Sequence, residues 1–163
     1  RAELRPHLKI HSSFRSDLLR RCLPIPATVV LVDWFLATLA WLYGATLAFD
    51  SEVGMDYRQH RANMAQVRPP FSRRQVIQDT ERVRQHFEIV RGLPLTGARS
   101  DRYAELEQVA ADIEAFHLHI ALQPLQLDRY VESLNQLALA PLWWSCVAHP
   151  ALRQMWMPAR SRT

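Results

Sequence analysis

Glu114 and His117 stand three residues apart, the E-x-x-H spacing that sets a carboxylate and an imidazole on one face of a helix. In bundles that hold two metal ions this pair occurs twice and is joined by two further acids. Here it occurs once. His119, two residues on, points to a different face, and His7, His11, His60, His86 and His149 are scattered without ligand spacing. Cys22 and Cys146 are too few and too far apart for a disulfide framework or a thiolate metal site. The chain has no H-E-x-x-H, no phosphate-binding loop, no dinucleotide glycine fingerprint and no G-x-S-x-G elbow. No catalytic, cofactor-binding or metal-ligating residue is therefore expected, and a helical metalloprotein built on Glu114 and His117 is the reading that metal analysis would test.

The remaining residue with chemical interest is Asp33, the one charge inside ATVVLVDWFLATLAWLYGATLAF, residues 27–49. As a helix these 23 residues would measure about 34 Å, enough for a hydrocarbon core of about 30 Å. Ten Val, Leu and Phe side chains favour insertion by roughly 3–6 kcal/mol, against about 2.5–3.5 for an acid at the centre. The expectation is a transmembrane helix with Asp33 as an intramembrane polar group, paired with a neighbour or reaching toward headgroups. Trp34, Trp41 and Gly44, with small residues beside them, are candidate contacts for a neighbouring helix. Lys9, Arg15, Arg20 and Arg21 outnumber Arg58 and Arg61 on the far side, which places the N-terminus on the matrix or cytoplasmic side. The alternative is the buried helix of a soluble bundle.

Around that span the chain reads as all-α. Residues 1–26 form a leader with a short amphipathic stretch, Phe14, Leu18, Leu19 and Leu23 opposing arginines, suited to a headgroup boundary. Residues 50–71 form a connector ending in two prolines. Ser72 is placed to cap a helix whose apolar stripe is Val76, Thr80, Val83, Phe87 and Val90, with Gly92 to close it. Ser100 opens a second long helix, with Tyr103, Leu106, Val109 or Ala110, Ile113, Phe116 and Ile120 in line. Pro124 interrupts it, and a third segment runs from Leu125 to Leu139. Residues 72–141 thus predict a helical hairpin. Residues 142–163 predict an irregular tail in which Trp143, Trp144 and Trp156 are anchors for a partner or pack back on the hairpin.

The charge balance is +4, and one lysine among twenty Lys and Arg residues leaves the rest arginine without a concentrated basic stripe. That argues against nucleic acid as a partner. No small-molecule substrate is indicated. The sequence reading is a non-catalytic accessory subunit of a large membrane complex, bound to other subunits and to membrane lipids. The first setting is an energy-transducing complex of the mitochondrial inner membrane, respiratory chain before ATP synthase; a start at Arg1 is compatible with a removed targeting segment. A bacterial single-pass adaptor of a secretion or envelope assembly is the second reading, and a soluble helical bundle the third. No named family is evident in these residues.

Overall fold

The computed structural model describes residues 14–46, 69–138 and 144–157. Among them are five α-helices: α1 (Ser16–Arg21), α2 (Val32–Leu42), α3 (Arg73–Arg91), α4 (Ser100–Phe116) and α5 (Pro124–Asn135). A π-helical turn, His117–Ala121, continues α4, and a 3₁₀ turn runs over Pro150–Met155. The described residues contain no strand. The chain divides into two compact units. One holds residues up to 63 and His86–Leu106, the other Met64–Gln85 and Glu107–Thr163, so α3 and α4 contribute to both.

In the first unit, the expected span is an 11-residue helix instead. At about 1.5 Å per residue, α2 is roughly half the thickness of a hydrocarbon core. Among the described residues no helix is long and apolar enough to cross a membrane. The correction has a local cause at each end. Residues 27–31 form turns and bends, and α2 begins with Asp33 exposed in its first turn, where an acid favours the helix dipole. At the other end Gly44 takes φ +90. Its N–H bonds the Trp41 carbonyl at 2.9 Å, and the Ala45 N–H bonds the Ala40 carbonyl at 3.0 Å. That is a Schellman closure, which needs a left-handed residue at the position Gly44 fills. Gly44 therefore ends the helix. The last carbonyls are also taken within the chain. Arg99 N–H donates to Leu42 at 2.9 Å, and the Arg102 guanidinium donates to Trp41 and, at 3.1 Å, to Ala45. Residues 47–49 of the expected span lie outside the described residues.

The apolar side chains of α2 are largely buried. Eight of its eleven residues are buried, among them Phe35, Leu39 and Leu42. Each such side chain contributes about 1.5–3 kcal/mol. The short α1 has Asp17 in its first turn and Arg20 and Arg21 in its last, which suits the helix dipole. It stops at Cys22, before Pro24 and Pro26.

In the second unit, Ser72 Oγ accepts from Gln75 N–H at 3.2 Å and caps α3. Val76, Thr80 and Val83 are fully buried there. Along the whole helix, Phe87 and Val90 complete the same buried stripe, and Gly92 follows its end. On α4 the buried positions are Leu106, Ala110, Ile113 and Phe116, so Ala110 and not Val109 faces inward. Pro124 occupies the first turn of α5, where a missing N–H costs nothing. That helix buries Leu127, Tyr130 and Leu134 and ends at Asn135, four residues short of the expected Leu139. The Asn135 amide pins the chain entering α3, accepting from Phe71 N–H at 2.7 Å and donating to Phe71 O at 3.0 Å.

Candidate functional site

Three groupings of reactive side chains emerge, and each can be judged by access. The first contains the E-x-x-H pair. Glu114 and His117 do share the α4 face, but the cation between acids is a guanidinium. Arg84 on α3 pairs with Glu114 at 2.9 Å and with Glu81 at 2.9 Å. His117 Nδ1 lies 3.2 Å from Glu81 Oε1, and the buried nitrogen makes no hydrogen bond among the described residues. Partial burial opposes the Arg84 charge, and the Glu114 and Glu81 carboxylates outweigh it, so its proton is held more tightly than usual. The described residues hold no group of three ligands able to take a metal ion. Arg84 fills the role a metal would have in a carboxylate-bridged bundle.

The second grouping lies in the other unit. Thr38 Oγ1 is 3.1 Å from His86 Nε2, a hydroxyl–imidazole pair of nucleophile-and-base composition. Trp34 stacks on the imidazole at 3.6 Å between centroids and 6° between planes, and Phe87 meets both rings edge-on. Thr38, His86 and Trp34 are all buried. Burial pushes the His86 pKa down to about 3, so the ring is neutral at physiological pH. In this setting the imidazole and the hydroxyl satisfy one another inside an aromatic cluster.

The third is built on Asp79, fully buried on α3. Its carboxylate accepts from Gln75 Nε2 at 2.6 Å and Arg82 Nη1 at 2.9 Å, and the Cys146 thiol lies 3.4 Å away. Burial first, and Asp79 second, push the Cys146 thiol well up, so it is not the thiolate a nucleophile requires. Tyr130 ties down the same loop. Its hydroxyl donates to Cys146 O at 3.1 Å and accepts from His149 N–H at 2.9 Å. These bonds hold a segment in which Trp144 (φ 49) and Ala148 (φ 46) are left-handed without being glycine.

Asp33 is solvent-exposed at the start of α2. Trp34 and Trp41 are buried in their own unit, with the Arg102 guanidinium 5.5 Å above the Trp41 ring. Trp156 is buried against Phe116 at 5.3 Å and Tyr130 at 6.2 Å. The tail segment that carries it is a 3₁₀ turn, capped by His149 and tied to α4 through Arg153 and Asp112 at 2.9 Å. Trp144 is half-buried, and Trp143 lies outside the described residues.

Sequence reasoning passed over an apolar corner. Residues 115–127, AFHLHIALQPLQL, carry no Asp, Glu, Lys or Arg. Phe116, Ile120, Ala121 and Leu127 turn inward, whereas Leu118, Leu122 and Leu125 are exposed, Leu125 to 76%. The π turn sets this division: it adds a residue to the turn, and the Leu122 N–H bonds the His117 carbonyl five residues back at 3.0 Å. The i, i+4 spacing of Leu118 and Leu122, followed by Pro124, is the signal that could have revealed it. Comparison with protein-family models, curated proteins and solved structures finds no match to this chain.

Proposed function

We propose that the chain is a non-catalytic accessory subunit whose α4–α5 corner docks on an apolar surface of a protein partner. The observation that supports this reading is the trio Leu118, Leu122 and Leu125, large apolar side chains exposed together in an uncharged segment. Such side chains gain most when a partner removes them from water. The groups that could perform chemistry point the same way. Thr38, His86, Asp79 and Cys146 are buried, and Glu114 is engaged by Arg84. The choice of an inner-mitochondrial respiratory complex rests on a spanning helix and is not part of the proposal.

The test is native electrophoresis of mildly solubilised host cells, with the chain located by mass spectrometry. Wild type migrates with a larger assembly, and L122D/L125D falls back to the mass of the free chain, 18.9 kDa. Wild type at the free-chain mass, or a variant that stays assembled, would overturn the proposal. Light scattering of the purified chain separates self-association from a different partner.

A further inference from the structure

Between Arg21 and Asp33 the first unit has eleven consecutive residues without a charge, CLPIPATVVLV. They form a connector of turns and bends between α1 and α2, with Val32 opening α2. Cys22 turns inward and is buried, while Leu23, Val30 and Val32 lie 50%, 52% and 40% exposed. Basic side chains precede this apolar segment in the chain. Arg15, Arg20 and Arg21 are all exposed. Arg15 is offset by Asp17 at 3.2 Å, and the Arg21 guanidinium lies 4.1 Å from the Tyr43 ring centroid. Arg20 has no acidic partner among the described residues. Asp33, exposed where the segment ends, is the one acid within it or immediately beside it.

We propose that this connector is a membrane-surface anchor: Leu23, Val30 and Val32 enter the headgroup boundary of an anionic bilayer while Arg20 and Arg21 meet the lipid phosphates. Charge complementarity selects the occupant. An apolar loop edged by arginines matches a surface that is negative outside and apolar beneath. Asp33 limits the depth, because a carboxylate resists transfer below the headgroups. Seating is therefore shallow, about 5–10 Å, and compatible with the short α2. The anchor concerns the first unit and does not depend on the leucine corner, so L122D/L125D retains it even if protein docking is lost.

The test is co-sedimentation of the full chain with vesicles of phosphatidylcholine alone and with about 30% phosphatidylserine. Binding is expected with the anionic vesicles alone and should weaken severalfold at about 0.5 M salt. Arg20→Ala should lower the partition coefficient about fivefold, and Val30→Asp about tenfold or more. A second reading does not depend on a charged substitution. A Val30→Cys chain labelled with an environment-sensitive dye should brighten and shift to the blue on anionic vesicles, since the native Cys22 and Cys146 are buried from the reagent. Folding of each variant is checked by far-ultraviolet circular dichroism. Failure of folded wild type to sediment with anionic vesicles overturns the proposal. So does a dye at position 30 that stays in water while the chain sediments, which would assign the binding to another surface or to a protein-type contact.

Discussion

Acid should loosen this protein through one histidine. His86 is buried beneath Trp34 beside Thr38, and its folded-state pKa is about 3, below the ordinary 6.5, because burial disfavours the charged ring. In the unfolded chain the same imidazole takes a proton near 6.5. A lowered histidine pKa contributes stability that is fully present above the unfolded value and declines as pH falls toward the folded one. Between pH 7 and pH 5 the loss from this group is about 2 kcal/mol. With a urea dependence of about 2 kcal/mol per molar, the unfolding midpoint moves down by about 1 M. The comparison is T38V/H86F, which replaces both polar partners with apolar groups of similar shape and leaves neither unsatisfied. Urea unfolding followed by circular dichroism at pH 7, 6 and 5 gives the contrast, because the other histidines titrate in both chains and cancel. The wild type should lose about 2 kcal/mol more than the variant over that range. Parallel pH dependence in the two chains would show that His86 is protonated freely in the folded state, and the buried-pair reasoning would fail.

Substitutions at two further positions, Gly44 and Trp156, test how the helix closes and how the tail packs. Gly44→Ala should cost about 1–2 kcal/mol by urea unfolding, because an L residue at φ +90 is strained even though the contacting Arg99 side chain, 3.3 Å from the added carbon, can move aside. Trp156→Ala should cost about 3–5 kcal/mol through the cavity left beside Phe116 and Tyr130. Trp156→Phe should stay within about 1 kcal/mol, since the lost indole N–H is buried without a hydrogen-bond partner among the described residues.

The two long helices were readable in the sequence because each is half-buried. A stripe such as Val76, Thr80 and Val83 against exposed arginines has one solution at helical spacing. The apolar segment was ambiguous for the opposite reason. A helix buried on most sides and a helix in lipid are both apolar all round, so periodicity cannot separate them. What could have separated them is Gly44, whose fitness to end a helix competes with its fitness to pack one, and Asp33, which favours a first turn as readily as a polar site in a membrane. Side-chain partnerships across long stretches of chain had no local trace. Thr38 meets His86 from 48 residues away and Arg84 meets Glu114 from 30. The E-x-x-H spacing correctly put Glu114 and His117 on one face, but nothing near them in sequence announced the guanidinium that occupies it. The tail tryptophans left two readings open, anchors for a partner or packing back on the hairpin, and nothing local in the sequence chose between them; Trp156 packs against Phe116 and Tyr130.

The central claim is that the apolar segment serves as the buried helix of a small helical unit. Backbone hydrogen exchange over residues 27–46 tests it most directly, on the full chain in aqueous buffer without detergent. Slow exchange is expected from Phe35 to Ala45, where the amides bond within α2 and its closure, and fast exchange at Ala27, Thr28 and Val30. Uniform protection from Ala27 through Thr46, or protection that appears only in detergent or lipid, would contradict it and restore the long membrane helix.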